Sequence, residues 1–375
     1  MNSIIIAGDF FPSEKNISLF ENRKIQDLFD DKIIELFGQS VFSIVNLEGV
    51  LTENDNPQKK IGPVIKASPS VIGTIQKLGI SAVALANNHV TDYQRKGLED
   101  TIKSLDDASI RHIGASSNEE IINHSLTVIC ENKKVCIYNV SETFFNKPYV
   151  HTYDEYVVCN EIRELKSQND YLIVIYHGGA ERCQYPSPEV RKRFHRMADC
   201  GADFITAQHT HCIGCEEIYS GSRLLYGQGN FFFTKMSQSY ARQGLITELI
   251  FNEGVMSVKY HLVVVTSEGK LIYDFKQDLS DFNYRSEVLK KEGAETKYLE
   301  YIKANNKLKV DYLLAFRGDS LERRLMLKFF PRQYKRNLEK KYTKEQYLRV
   351  LLALQSDRTG ENVLNMWRDL VDKNI

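Results

Sequence analysis

The sequence predicts an α/β fold in which short apolar strands alternate with helices. Two observations support this prediction: buried-type runs of about five residues are separated by longer helical stretches, and polar residues follow several of these runs directly. In open α/β sheets, ligands bind at the carboxyl ends of strands, where such residues would lie. With 375 residues, the chain predicts one large domain over residues 1–275 and a helical extension over residues 276–375.

The composition excludes several classes of protein. Apolar residues make up 42% and charged residues 26%, as in ordinary soluble proteins. The 49 basic and 49 acidic residues balance, which argues against a dedicated nucleic-acid binder. Seven cysteines do not predict a disulfide framework and favour a reducing compartment. No secretory leader pattern and no eighteen-residue apolar run is found, so we expect a cytoplasmic location.

The first half of the chain predicts three strands that end in polar residues. These strands are residues 3–7, 41–45 and 80–85. They deliver Asp9, Glu48 and Asn88, and Asn88 is followed by His89 and Asp92. Helices are predicted over about residues 15–38, after Pro69, and over about residues 94–108. Carboxylate and carboxamide oxygens are therefore expected at one edge of the sheet.

The second half places histidines after strands in the same way. Strands are predicted at residues 171–176, 203–207 and 223–226, and hairpins at residues 127–138 and 244–265. His177 follows the first of these strands, and His209 and His211 follow the second. Two imidazoles at positions i and i+2 share one face in a strand, whereas in a turn they can bind two adjacent ions. Three histidines placed this way within about forty residues indicate a metal site.

Six of these residues form a candidate metal-binding set. They are Asp9, Glu48, Asn88, His177, His209 and His211. Carboxylate, carboxamide and imidazole donors suit manganese, iron or zinc. Six ligands exceed the need of one zinc ion and suit two ions bridged by a carboxylate, as in phosphoryl-transfer enzymes. The alternative is that the carboxylates cap strand ends and the histidines are buried hydrogen-bonding residues.

The motifs around these residues resemble those of the CapA family of poly-γ-glutamate and capsule biosynthesis proteins, a branch of the calcineurin-like metallophosphoesterases. The resemblance covers residues 3–265 and leaves out the C-terminal hundred residues. Its motifs are Gly8-Asp9, Asn46-Leu-Glu48, Ala86-Asn-Asn-His89 with Asp92, His177-x-Gly179, His209-x-His211 and Tyr226-Gly-x-Gly229-Asn230.

The resemblance implies a four-layer αββα sandwich with two divalent metal ions (manganese, iron or zinc). Asp9 and His211 would hold the first ion, Asn88, His177 and His209 would hold the second, and Glu48 would bridge the two. His89 would act as general acid or charge stabiliser, and Asp92 would fix a neighbouring side chain. One departure is Phe11, which stands where most calcineurin-like phosphatases have a histidine, so the first ion would have one protein ligand fewer.

Weaker candidates lie around this set. Lys66 and Arg182 are candidates for binding an anionic substrate, although an isolated basic residue is more often simply solvated. Glu181 and Asn230 match positions of the family pattern and are candidates for substrate contact. Cys212 and Cys215 have the spacing of a redox or zinc motif, but without a partner pair we favour two reduced thiols.

The sequence thus predicts a metal-dependent hydrolase, of phosphoesterase type, acting on a glycan or polyglutamate precursor of the cell envelope. The alternative is a non-catalytic accessory protein that binds an anionic polymer or its synthase or exporter. A basic C-terminal stretch with interleaved apolar residues predicts binding at the inner membrane surface or to a polymer synthase, and a solvated helical face is the simpler interpretation. The basic residues are Arg323, Arg324, Lys328, Arg332, Lys335, Arg336, Lys340, Lys341, Lys344 and Arg349.

Overall fold

The structure is a computed structural model that describes residues 2–12, 17–22, 24–58, 60, 63–118, 122–142, 148–233, 242–291, 294–304, 329 and 333. The chain divides into two compact units, Met1–Tyr298 and Leu299–Ile375. Nearly all of the second unit, including the basic C-terminal residues, lies outside the described residues. The domain boundary near residue 275 and the role of the extension therefore stay predictions.

Strands and helices alternate through the first unit, as expected. The strands are β1 (Ser3–Phe11), β2 (Phe42–Leu47), β3 (Val50–Leu51), β4 (Lys66–Ala67), β5 (Ala82–Ala84), β6 (Arg111–Ile113), β7 (Ser125–Cys130), β8 (Lys133–Ser141), β9 (Tyr171–His177), β10 (Phe204–Gln208), β11 (Glu216–Tyr219), β12 (Ser222–Leu225), β13 (Asn230–Phe233), β14 (Gln243–Asn252), β15 (Val255–Val265) and β16 (Leu271–Tyr273). The helices are α1 (Ile17–Glu21), α2 (Ile25–Leu28), α3 (Asp31–Gln39), α4 (Ile72–Leu78), α5 (Gln94–Asp107), α6 (Glu155–Gln168), α7 (Pro188–Asp199), α8 (Ser280–Lys290) and α9 (Ala294–Ala304).

The strands form two large sheets whose central strands run parallel. The first sheet has the order β16-β15-β14-β1-β2-β5-β6, and β13 also pairs with β1. The second sheet has the order β11-β12-β10-β9-β8-β7. Strands β1, β2, β5 and β6 are parallel in the first sheet, as are β8, β9, β10 and β12 in the second. Parallel strands place their carboxyl ends on the same edge of a sheet, which gathers the loops that follow them.

Three layers of buried apolar side chains show the four-layer αββα arrangement. Side chains alternate between the two faces of a strand, and in β1 Ile5 and Ala7 pack in the core with α1–α5, whereas Ile4 and Ile6 pack between the sheets. The core between the sheets includes Ile173 and Phe204 of the second sheet. A third core lies between the second sheet and helices α6 and α7. The predicted four-layer α/β fold is confirmed.

The stretch predicted to be helical, about residues 15–38, forms three short helices, α1, α2 and α3. The break between α2 and α3 arises because Phe29 bridges to Leu271 in an extended conformation and the Asp30 backbone N–H donates to the Leu271 carbonyl. Asp30 then caps α3, its side chain accepting a hydrogen bond from the Lys32 backbone at 2.9 Å. Helical periodicity could not reveal this break, since its cause is a strand more than two hundred residues away in sequence.

Both hairpins occur as predicted. Strands β7 and β8 are joined by Glu131 and Asn132, whose φ angles of 48° and 62° suit a tight two-residue turn. Strands β14 and β15 are joined in the same way by Glu253 and Gly254, with φ angles of 51° and 77°. Among the described residues, no helix is both long and apolar enough to cross a membrane.

Candidate metal centre

The six predicted ligands come together at the carboxyl ends of the central strands. Asp9 lies within β1, at a register shift next to Gly8, and Glu48 and Asn88 follow β2 and β5. His177 is the last residue of β9, and the turn after β10 carries His209 and His211. The first sheet therefore supplies the oxygen donors and the second sheet supplies the imidazoles. Asp9, Glu48, His177 and His211 are buried.

Glu48 is at the centre of this group and has an unusual environment. Its Oε1 atom lies 3.6 Å from His177 Nε2, 4.0 Å from His209 Nδ1 and 3.8 Å from His211 Nε2. These separations are too long for hydrogen bonds, and within the described part of the chain neither oxygen of this fully buried carboxylate has a hydrogen-bond partner. Burying a carboxylate costs several kcal/mol unless positive charge lies nearby, and here that charge can come from His211 or from a bound cation.

The distances around Glu48 fit metal ligation. Two ligand atoms that each lie about 2.1 Å from one ion are at most about 4.2 Å apart, and all three nitrogens fall within that limit. His209 Nδ1 also lacks a hydrogen-bond partner among the described residues. Glu48 forms one compact group of donors with His177 and His209 and a second with Asp9 and His211. Glu48 is common to both groups, which matches the bridging position that the family resemblance implies.

Asp9 and His211 are held in place by neighbouring polar groups. The carboxylate of Asp9 accepts hydrogen bonds from Asn46 Nδ2 at 2.8 Å and from the His209 backbone at 3.0 Å. His211 Nδ1 donates to Asn230 Oδ1 at 2.9 Å, which leaves Nε2 to face Glu48. Such a hydrogen bond from the second ring nitrogen is how metal-binding histidines are usually oriented.

The other group centres on His177. Its Nε2 lies 2.8 Å from Asn88 Oδ1, and the centroid of its ring lies 4.8 Å from that of the His209 ring. Asn46 Nδ2 lies 3.2 Å from His177 Nδ1, and Asn46 Oδ1 accepts a hydrogen bond from Asn87 at 3.1 Å. Asn46 therefore links ligands from both groups, a role that its motif alone did not reveal.

The charges of these side chains are strongly coupled. Burial raises the pKa of Asp9, but hydrogen bonding and attraction to His211 outweigh it and lower the pKa to about 2. The pKa of His211 is raised to about 10, because Glu48 and Asp9 outweigh the burial that lowers it. Burial, followed by repulsion from His209, holds the pKa of His177 well below its usual value. The centre thus combines the ionised carboxylate of Asp9 with a His211 ring that favours its protonated, positively charged form.

The turn that carries two of the histidines adopts a strained backbone conformation. His209 and His211 have φ angles of 86° and 52°, in the left-handed region that side-chain-bearing residues seldom occupy. Close packing nearby also depends on Gly8, because a Cβ atom there would lie 2.1 Å from the Gly229 carbonyl oxygen. Strain of this kind concentrates at functional sites, where the surrounding structure imposes it.

His89 and Asp92 form a pair beside the centre. His89 Nδ1 lies 2.6 Å from Asp92 Oδ2, and Asp92 also accepts a hydrogen bond from the Ile65 backbone at 2.7 Å. Lys60, which sequence reasoning missed, forms an ion pair with Asp92 and lies 3.2 Å from His89 Nδ1. No local motif marks Lys60, since it reaches the pair from a loop about thirty residues upstream.

The weaker candidates have different placements. Lys66 forms an ion pair with Asp55 at 2.5 Å and stacks over the Tyr93 ring. Glu181 and Arg182 are exposed in the loop after β9. Burial lowers the pKa of His209, but Glu48 outweighs it and raises that pKa, with a smaller contribution from Glu181. Asn230 is fully buried against His211. The substrate contacts assigned to these four residues stay predictions, and the contact observed for Asn230 is with a histidine.

Phe11 and the cysteine pair complete the comparison with the sequence. Phe11 is buried, and a Cβ atom added at Gly49 would lie 2.4 Å from its ring, so the aromatic side chain packs closely on that glycine. Cys212 and Cys215 are buried free thiols, and burial raises the pKa of Cys212 to about 12. A thiol with so high a pKa is a poor nucleophile and a poor metal ligand.

Comparison with known proteins identifies similar chains. The capsule biosynthesis protein CapA of Bacillus anthracis is 26% identical over 196 residues, 49% of this chain and 48% of that protein. The PGA biosynthesis protein CapA of Bacillus subtilis (strain 168) is 25% identical over 240 residues, 62% of this chain and 63% of that protein. The chain therefore spans between about half and just under two thirds of the length of these curated relatives.

Solved structures give weaker matches. A phosphatase from Mycoplasma pneumoniae superposes with a TM-score of 0.46 at 17% identity, covering 75% of this chain and 98% of that one. The NAD nucleotidase of Haemophilus influenzae gives a TM-score of 0.42 at 12% identity, covering 82% and 67%. Both scores are below 0.5, and no conclusion about activity is taken from them.

A family model also matches this chain. Residues 3–235 match the model of the family described as bacterial capsule synthesis protein PGA_cap. This range covers well over half of the chain and contains all six residues of the candidate centre. The chain therefore belongs to the PGA_cap family of bacterial capsule synthesis proteins, the CapA family that its motifs resemble.

Proposed function

We propose that this protein is a hydrolase that uses two divalent metal ions to cleave a phosphoester, or another ester or amide bond, in a precursor of a capsule, polyglutamate or other cell-envelope polymer. The observation that carries the proposal is the Glu48 carboxylate, which is buried, has no hydrogen-bond partner among the described residues and lies 3.6–4.0 Å from three imidazole nitrogens. Membership of the capsule synthesis family supports the choice of polymer precursors.

The residues present fit two ions. Asp9, His211 and Glu48 would hold the first, and Asn88, His177, His209 and Glu48 would hold the second. When bound, such ions supply a polarised scissile bond and a water nucleophile of lowered pKa. Manganese, iron and zinc all accept this mixture of oxygen and imidazole donors.

The side chains of the protein position the reacting groups. Asp92 accepts a hydrogen bond from Nδ1 of His89, so the Nε2–H group of the doubly protonated ring would give a proton to the leaving oxygen or stabilise charge on the reacting group. Lys60 pairs with the same carboxylate and thereby holds it in place. His89 is largely buried, so water has limited access to its ring.

A neighbouring cavity offers space for the rest of the substrate. Its volume is about 430 Å³, and Phe11, Lys66, Tyr93 and Phe233 are among the residues that line it. The Phe233 ring packs 5.0 Å from the His211 ring, so the cavity borders the side of the centre where the first ion would bind. We propose that Lys66 contacts an anionic or polar part of the substrate there, with Asn230 on the same side beside His211 and with Glu181 and Arg182 on the side of His209.

The accessory role is a second candidate. A relative from Mycobacterium tuberculosis (strain ATCC 25618 / H37Rv), 24% identical over 206 residues, is named a probable polyglutamine synthesis accessory protein; the match covers 50% of this chain and 54% of that protein. In this role the centre would stabilise the fold or bind an anionic polymer without cleaving it. Attachment to a polymer synthase or to the membrane surface through the basic C-terminal stretch is part of the same proposal, and that stretch lies outside the described residues.

Metal analysis combined with a substrate screen tests the function. The purified chain is analysed for metal and assayed on phosphomonoesters, phosphodiesters and polyglutamate esters, beside His177→Ala and a control, His261→Ala. His261 is a buried histidine paired with Glu248 in the β14–β15 hairpin. Hydrolase function requires that turnover and metal content fall together in His177→Ala and that His261→Ala retains both. Full metal binding without turnover on any of these substrates would favour the accessory role.

A further inference from the structure

Three other side chains with metal-binding chemistry meet on the outer side of the second sheet. His124 precedes β7, His151 lies in the segment between β8 and α6, and Glu161 lies on α6. Their ligand atoms all lie within 4.8 Å of one another. Tyr138, which contacts this group, belongs to the core beneath α6 and α7. None of the three belongs to the candidate centre described above.

The rings of both histidines are held in place. His151 Nδ1 donates to the Asn139 carbonyl at 3.0 Å, and its Nε2 lies 3.0 Å from Glu161 Oε2. The His124 ring stacks on the His151 ring, with centroids 4.9 Å apart. A backbone hydrogen bond at one ring nitrogen, with the other nitrogen turned toward a neighbouring donor atom, is how metal-binding histidines are usually oriented.

The carboxylate of Glu161 is held in position by a neighbouring hydroxyl group. The Tyr138 hydroxyl donates to Glu161 Oε2 at 2.6 Å and fixes the carboxylate. Carboxylates that bind metals are usually oriented by such hydrogen bonds.

An ion pair between Glu161 and a protonated His151 would explain only two of the three groups. It gives no reason for His124 to bring a second imidazole to the same point, where it would face the positive charge of His151. A bound cation shared by both rings accounts for all three positions. Two imidazoles and one carboxylate match the ligand sets of zinc sites that keep a fourth position for water.

We infer that His124, His151 and Glu161 bind a zinc ion, or a similar borderline divalent ion, separate from the candidate metal centre. The ion would fasten the segment around His151 to the sheet and to α6. That segment joins the two sheets, because Val150 bridges to Ala115 after β6 and Thr152 bridges to Ser141 of β8. We therefore assign the ion a structural role.

Zinc counting on the full-length protein tests this inference. Chelator-stripped wild type, His124→Ala and Glu161→Gln are titrated with Zn²⁺ alone, and bound zinc is counted by elemental analysis after gel filtration. The control is His112→Ala. His112 lies on β6, is half-buried, and has its Nε2 atom 3.3 Å from Asp106 Oδ1. Each ligand variant should hold one zinc ion fewer than wild type, and the control should hold the same number.

A further variant protects the test against misfolding. Tyr138→Phe keeps all three ligands and the aromatic packing, and should weaken zinc binding at this site by about 10- to 100-fold, as loss of a residue that orients a ligand does. Equal zinc counts in wild type, His124→Ala and Glu161→Gln, or unchanged zinc affinity in Tyr138→Phe, would overturn the inference. If the proposed hydrolase centre binds no metal, the zinc count will be lower by the same amount in wild type, His124→Ala, Glu161→Gln and His112→Ala. Failure of the hydrolase proposal is therefore distinguishable from failure of this inference.

Discussion

Replacing Glu48 by glutamine should weaken two metal ions at once. The Glu48 Oε1 atom lies 3.6 Å from His177 Nε2 in one ligand group and 3.8 Å from His211 Nε2 in the other. Glutamine keeps the shape of the side chain but removes its charge and one acceptor oxygen. Asp9→Asn removes the equivalent charge from the first group only, since Asp9 is grouped with Glu48 and His211.

The expected size of the effect follows from the number of ligands. Structural zinc sites bind with an apparent ~10–16 kcal/mol, which over four ligands gives about 3 kcal/mol each. Losing one ligand therefore costs about a hundredfold in affinity. Glu48→Gln should impose this loss on both ions, and Asp9→Asn should impose it on one.

Equilibrium dialysis against Mn²⁺ or Zn²⁺, followed by elemental analysis, measures both affinities. Glu248→Gln is the matched control, because its half-buried carboxylate pairs with His261 at 2.9 Å in the β14–β15 hairpin. We expect Glu48→Gln to bind two metal ions more weakly than wild type, Asp9→Asn to bind one more weakly, and the control to bind both as tightly as wild type. If Glu48→Gln weakens no more equivalents than Asp9→Asn does, Glu48 is not shared and the two-ion arrangement is refuted.

Three further predictions concern catalysis, pH and packing. His89→Asn should retain metal content but lower turnover by about a hundredfold or more, as loss of a positioned general acid does; a wild-type rate on an established substrate would contradict the role of His89. Burial raises the pKa of Glu217, but hydrogen bonds from Arg191, Tyr226 and His195 outweigh it and lower that pKa below 4.5. These bonds therefore stabilise the fold at pH values above the pKa of Glu217 in the unfolded chain. Their contribution is lost as the pH falls through the lower pKa of Glu217 in the folded protein. Denaturant unfolding should therefore show Glu217→Gln less stable than wild type by roughly 2 kcal/mol at pH 7, with the gap closing below pH 4.5, and a gap independent of pH would refute this. Gly8→Ala should destabilise the protein by about 1–3 kcal/mol or more, because the added Cβ would lie 2.1 Å from the Gly229 carbonyl oxygen. Gly38→Ala is the control and should be neutral or stabilising, because no atom lies within 4 Å of the Cβ position there. Equal melting temperatures for the two variants would show that the Gly8 contact can relax.

The parts of the fold that depend on local patterns could be predicted from the sequence. The buried strand around Ile173 and the β7–β8 hairpin follow from apolar runs and turn residues, and both occur as predicted. The grouping of Asp9 with His211 could be predicted only because the motifs matched a known family, since two hundred residues separate them.

Contacts between distant segments could not be predicted. Lys60 reaches Asp92 from a polar loop whose sequence has no motif, and Phe29 pairs with Leu271 against the local helical pattern. The His124, His151 and Glu161 group escaped notice for the same reason. Its members come from three separate elements, and each of them taken singly has the sequence context of an ordinary surface or core residue.

The division of donors between the sheets has a consequence for folding. Asp9, Glu48 and Asn88 come from the first sheet, and the three histidines come from the second. An ion that prefers mixed oxygen and nitrogen ligands finds only some of its ligands on either sheet alone. Metal uptake would therefore follow the docking of the two sheets and would not nucleate either one. A newly made chain would complete its fold before it competes for metal, and the bound ions would then lock the two halves together against unfolding.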